Sequence, residues 1–186
     1  MRKGTKIDKN GKITDMAKIS LCSVFIAVCS WIAVPGAVPF TLQTFGVFFV
    51  LLILGGKRAT VSLIIYLCIG ALGVPVFSHF KGGIGVLFGA TGGFLIGFVV
   101  MSLLYWLITS FFGKSGFVKI SALLIGDAVC FAFGTVWYIT VFLNGFSSGN
   151  IRAALTLCVV PFIIPDVLKL ILAYTVAKKC SSVIKV

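Results

Sequence analysis

The sequence predicts an all-α protein, a polytopic membrane bundle of six transmembrane helices with both termini cytoplasmic. Of the 186 residues 60% are hydrophobic, and the mean hydropathy is +1.19. The apolar residues gather in six runs that approach or exceed the length of about 20 residues needed to cross a bilayer. The lysines and arginines behind the net charge of +12 fall in alternate connections between those runs. Such a charge can also serve nucleic-acid binding, but this placement follows membrane sidedness instead.

The first run, residues 19–34, follows Arg2, Lys3, Lys6, Lys9, Lys12 and Lys18. No small-residue cleavage site comes after it, so it reads as a retained helix rather than a removed signal peptide. The second run, 40–54, begins behind Pro35 and Pro39, which fix the backbone of the first outward connection. Thr41, Gln43 and Thr44 offer neutral hydrogen-bonding groups there. Either Thr41 caps the helix and Gln43 bonds across helices, or both face a polar, uncharged ligand group. Lys57 and Arg58 lead into the third run, 59–76, which ends in Gly-Val-Pro.

Residues 81–85 then form an outward loop placed as a lid over a cavity. His79 and Lys81 beside it can meet an anion or simply be solvated. The fourth run, 85–112, carries Gly89, Gly92, Gly93 and Gly97 at spacings that permit close helix approach. This glycine density resembles a phosphate cradle only superficially, because no G-x-x-x-x-G-K-[ST] occurs and no strand precedes it. Lys114 and Lys119 precede the fifth run, 120–143, which places Asp127 about two turns from the cytoplasmic end. The sixth run, 153–177, is followed by Lys178, Lys179 and Lys185. The opposite loops, 35–41, 73–83 and 144–152, carry only Lys81 and Arg152 and so face outward. One membrane domain therefore spans 1–186: a basic N-terminal segment (1–18), the six-helix bundle (19–177) and a basic tail (178–186). No stretch is long enough for a soluble catalytic domain.

Phe48, Phe49, Phe111, Phe112, Phe131 and Phe133 read as lipid contact or packing. The six cysteines, Cys22, Cys29, Cys68, Cys130, Cys158 and Cys180, are scattered without C-x-x-C spacing, and the chain has a single His. They read as small buried apolar residues, with no metal site and no redox role.

Asp166 and Lys169 are the anomaly. Two unsatisfied charges within an apolar span would cost about 5–7 kcal/mol. Their i,i+3 spacing puts them on one helix face, where they can pair with each other or converge on a polar ligand. Asp127 and Asp166 together raise the possibility of an aspartyl intramembrane protease, whose carboxylates share a proton. Against this, Leu124-Ile125-Gly126 lacks the first glycine of G-x-G-D, and the topology sets Asp127 near the cytoplasmic face and Asp166 in the outer half of the last helix.

Three stretches together resemble the BioY family, the biotin-binding S component of energy-coupling-factor transporters: Val38-Pro-Phe-Thr-Leu-Gln43; Gly70-Ala-Leu-Gly-Val-Pro-Val-Phe77 with Gly82-Gly83 and Gly89-Ala-Thr-Gly-Gly-Phe-Leu95; and Pro161-Phe-Ile-Ile-Pro-Asp-Val-Leu-Lys169. The resemblance covers nearly the whole chain. It departs from the family's Gly-Pro-Thr-Gly-Gly-Tyr at Ala90 and Phe94, and from Pro-Gly-Asp at Ile164-Pro165-Asp166. It implies a non-enzymatic subunit of the plasma membrane that binds biotin and uses no cofactor. Asp166 would accept ureido N–H bonds, Lys169 would pair with Asp166 or with the carboxylate, and Gln43 or Thr41 would complete the hydrogen bonds. Trp31, Phe40 and Phe80 would cover the apolar part of the ligand, with Gly83 in the lid, although Trp31 also fits an interfacial belt.

The resemblance also implies a partner, a transmembrane coupling subunit carrying two ATPases, since the sequence has no nucleotide motif. Small residues at Ser23 and Ala27, and at Ala33 and Ala37, have the spacing of a helix-docking face for it. The alternatives are an S component for another vitamin, or an autonomous secondary carrier in which Asp166 and Lys169 act as a coupling switch.

Overall fold

The computed structural model describes residues 9–36, 38–143 and 145–183. Arg2, Lys3, Lys6, Ala37 and Lys185 lie outside them. The described chain is helical throughout apart from one short hairpin. Its order is α1 (Lys9–Trp31), β1 (Ala33–Val34), β2 (Phe40–Thr41), α2 (Gln43–Leu54), α3 (Gly56–Ala71), a 3-10 turn (Ser78–Phe80), α4 (Ile84–Leu87), α5 (Gly92–Phe111), α6 (Gly116–Val141), α7 (Ser148–Cys158) and α8 (Val160–Val183). The two strands pair antiparallel, Ala33 with Thr41 and Val34 with Phe40.

Among the described residues four helical stretches are long and apolar enough to cross a membrane: Gly11–Trp31, Gly92–Phe111, Gly116–Val141 and Ser148–Cys180. The second and third apolar runs instead give the shorter helices α2 and α3, of 12 and 16 residues. They are separated by Gly55, which takes a left-handed φ of +73° and whose N–H closes on Leu51 O. The fourth run divides into α4 and α5. The sixth divides at Val159, whose φ of −121° leaves the helical region; nearby Pro161 has no N–H with which to continue the ladder. Pro165 sits inside α8 and removes one further helical bond, immediately before Asp166.

The helices pack where side chains are small. A Cβ on Gly93 would lie 2.2 Å from the Trp137 side chain, on Gly97 2.8 Å from Cys130 Sγ, on Gly126 2.7 Å from Met101 and on Gly134 2.3 Å from Phe94. Ascending numbers on α5 meet descending numbers on α6, so the two run antiparallel in close contact. The expected close approach thus holds for Gly93 and Gly97, whereas Gly92 is confined by the carbonyl of Leu87 in its own turn.

Helix α1 is tied to α3 by Ser23 Oγ donating to Ser62 O (2.8 Å) and by Ser62 Oγ donating to Ile19 O (3.1 Å). Ser23 and Ala27 are therefore buried inside the fold. That corrects their reading as a docking face: the small residues serve contacts within the chain. Ile26, Val47, Phe48, Leu51, Leu63, Tyr66, Met101 and Leu123 form the centre of the core, while Phe111, Phe112 and Phe117 stand exposed.

Candidate functional site

Eight elements converge on one cavity. From the hairpin and α2 come Val38, Pro39, Thr41, Gln43 and Thr44. Phe77, Ser78, Val86 and Thr91 close one side; Phe94, Leu95 and Phe98 of α5 line another. Asp127, Cys130 and Phe131 enter from α6, and Cys158, Phe162, Asp166 and Lys169 from α7 and α8. The walls are mainly apolar and aromatic, with a few polar groups in fixed places, which suits a ligand that is largely apolar with a polar end.

Asp166 and Lys169 are 3% and 6% exposed. Burial at this depth makes a lone charge costly, and each supplies the other's partner: Lys169 Nζ donates to Asp166 Oδ1 at 2.7 Å. The same ammonium donates to Thr41 O at 2.7 Å and stands 4.2 Å from the centre of the Phe40 ring. Thr44 approaches the Asp166 carboxylate from α2. The loop before α2 is thus fastened to α8 across 128 residues of sequence.

Gln43 Nε2 donates to Tyr66 Oη (3.1 Å), Tyr66 donates on to Val76 O (3.2 Å), and Ser30 Oγ donates to that same carbonyl (2.5 Å). Thr41 Oγ1 accepts from Gln43 N at 3.3 Å. The cross-helix bond considered for Gln43 is therefore present, whereas the N-cap of α2 is Leu42 rather than Thr41, which lies one residue before it in β2; both Thr41 and Gln43 also line the cavity.

Of the eight residues expected at the site, Asp166, Lys169, Gln43 and Thr41 line the cavity, and Phe40, Trp31, Phe80 and Gly83 do not. Phe40 lies behind Lys169 and against Phe162, with ring centres 5.8 Å apart. Trp31 and Phe80 stack on each other at 5.1 Å, and Trp31 Nε1 donates to Pro75 O. Gly83 N donates to Gly70 O at 2.7 Å, which fastens the loop to the end of α3. Trp31 and Phe80 form an outer brace, and the turn that carries Phe80 is left-handed: His79 and Phe80 take φ values of 57° and 56°, strained for residues with side chains. His79 and Lys81 are exposed in a crevice that shares Pro39, Ser78, Val86 and Thr91 with the cavity.

The expected depth of Asp127 is corrected. Helix α6 starts at Gly116, capped by Ser115, so Asp127 stands about 16 Å along it and lines the same cavity as Asp166. The partner of the Asp166 carboxylate is the Lys169 ammonium, through Oδ1. Phe131 and Cys130 were likewise legible only as packing. Their signal is the recurrence Asp127, Cys130, Phe131 at i, i+3, i+4, one helix face. The recurrence Cys158, Phe162, Asp166, Lys169 marks a second face across the break at Val159. Among the described residues no group of three His, Cys, Asp or Glu side chains is placed to hold a metal ion.

Comparison with known proteins places this geometry in a family. A family model described as the BioY family matches residues 3–186. Biotin transporter BioY of Thermotoga maritima is 37% identical over 163 residues, spanning 87% of this chain and 92% of that one. Biotin transporter BioY2 of Lactococcus lactis is 36% identical over 169 residues, 88% of each. A crystal structure of the S-component for biotin from an ECF-type ABC transporter superposes with a TM-score of 0.80 over 95% of both chains at 21% identity, which is a shared fold.

Proposed function

The chain belongs to the BioY family, and we propose on that ground that it is the membrane subunit that binds biotin and delivers it to an ATP-driven coupling module for uptake. The observation that carries the reading is the buried Asp166–Lys169 pair in the wall of a mainly apolar cavity. Biotin has an uncharged ureido ring, an apolar thiophane and valerate chain, and a carboxylate. Asp166 holds one oxygen to Lys169, and its second carboxylate oxygen accepts a ureido N–H; Thr44 and Gln43 complete the polar end. Phe77, Phe94, Phe98, Phe131 and Phe162 receive the apolar middle. Phe40 acts through Lys169, while Trp31, Phe80 and Gly83 hold the loop over the mouth. Asp127 joins the site as a further acceptor.

In this reading biotin is cargo, no cofactor takes part, and the protein is not an enzyme. The four long helices with α2 and α3 make six crossings, both termini lie in the cytoplasm, and the membrane is the plasma membrane. Energy comes from a transmembrane coupling subunit carrying two ATPases. Titration calorimetry of the detergent-purified protein against biotin, thiamine and riboflavin tests the ligand. Biotin binds in the nanomolar-to-micromolar range and the other two do not; binding of thiamine or riboflavin in place of biotin refutes the assignment.

A further inference from the structure

At the other ends of the helices that enclose the cavity lies a second concavity, with a chemistry the biotin site does not use. Lys57 and Arg58 at the start of α3, Lys114 after α5 and Lys119 in α6 line one groove. Among the described residues these four cations share it with one carboxylate, Asp15, which already holds Arg58 at 2.7 Å. The groove therefore keeps a cationic surplus at the edge of the apolar spans.

Trp106 and Ser110 of α5 belong to this groove and also to a second one. The second is otherwise apolar, formed by Val100, Leu103, Leu104 and Leu107 along the outward face of the same helix. Leu103 and Leu107 are exposed there, as is Trp106 at the junction. A cationic recess at a helix end that continues into an apolar furrow along the helix matches an amphiphile with an anionic head and a hydrocarbon tail. Free phosphate would use only the first part, and an acidic protein segment has no use for the furrow. We infer that this surface holds an acidic phospholipid, its phosphate among Lys57, Lys114 and Lys119 and one acyl chain along α5 past Trp106.

Trp106 supplies the readout. In the full chain with Trp31→Phe and Trp137→Phe, so that Trp106 is the remaining indole, the protein is reconstituted in phosphatidylcholine bilayers and titrated with acyl-brominated phosphatidylglycerol or acyl-brominated phosphatidylcholine. Brominated phosphatidylglycerol quenches Trp106 with a preference of about fivefold or more, and Lys57→Gln/Lys114→Gln/Lys119→Gln brings that preference close to one. Biotin titration of Lys57→Gln/Lys114→Gln/Lys119→Gln with all three tryptophans retained, beside thermal unfolding of the variant used for quenching, reports whether the bundle is intact, because none of the three lysines lines the cavity.

Equal quenching by the two lipids overturns the inference. So does displacement of brominated phosphatidylglycerol by millimolar glycerol phosphate, which identifies a free-anion site. Loss of association with the coupling module in the triple variant, with lipid preference unchanged, assigns the surface to a protein and also overturns it. These outcomes are independent of the ligand of the outer cavity.

Discussion

Lys169 is held by three neighbours at once, the Asp166 carboxylate, the Thr41 carbonyl and the Phe40 ring. Removing it is costly chiefly through what it leaves behind, a buried carboxylate without a counter-ion. Lys169→Met is expected to destabilise the protein by about 3–5 kcal/mol. The double variant Asp166→Asn/Lys169→Met recovers a large part of that loss, because no charge is then stranded. Chemical unfolding in detergent micelles of these two variants and of Asp166→Asn measures the coupling, and a double-variant loss equal to the sum of the two single losses would show the two side chains to be uncoupled. The pair was legible in the sequence through charge alone, since an apolar run tolerates a lysine and an aspartate at i,i+3 only where they pair or meet a ligand. Phe40, Trp31 and Phe80 were not legible in the same way. Their chemistry suits a ligand wall, but Phe80 sits in a left-handed turn outside the cavity and stacks there on Trp31 at the end of α1.

Helices α5 and α6 approach through glycine, so their contact is sensitive to the smallest side chain. Gly93→Val would set a Cβ 2.2 Å from the Trp137 side chain, and it is expected to lower stability by about 1–3 kcal/mol, read as a fall in the thermal midpoint in detergent. An unchanged midpoint would mean that the two helices can part without penalty. In the loop, a Cβ on Gly82 would meet the Val74 carbonyl oxygen at 2.5 Å and that of Gly73 at 2.7 Å, both backbone atoms that cannot step aside. Gly82→Val should therefore weaken biotin binding while helix content by circular dichroism stays constant. The apolar runs located the helices, but their interruptions were hidden in single residues. Pro161 and Val159 divide the last run, and Gly55 separates α2 from α3. Ser115 starts α6 one turn earlier than the apolar run does, which moved Asp127 from an expected interface position to the cavity wall.

For the molecule as a whole, the distribution of charge and the placement of the two concavities agree. The cavity with Asp166 opens beside the loops that carry few cations, and the cationic groove lies at the opposite helix ends. The proposed topology, with both termini cytoplasmic, predicts that a membrane-impermeant maleimide labels His79→Cys in intact cells and reaches Lys114→Cys only after permeabilisation, in a background without native cysteines. Labelling in the reverse order would invert the topology. The proposed sidedness rests on the loop lysines alone, through their bias to the cytoplasmic side. The convergence of eight elements on one cavity was not legible, because it depends on helix pairings that no single stretch encodes. The central claim is that the Asp166–Lys169 pair forms the polar end of a biotin site. Calorimetric titration of biotin into the wild-type protein and Asp166→Asn, with thermal unfolding to verify that both are folded, tests it most directly. The account predicts an affinity loss of about tenfold or more in the folded variant; an unchanged affinity would contradict it and leave the pair as a purely structural bridge.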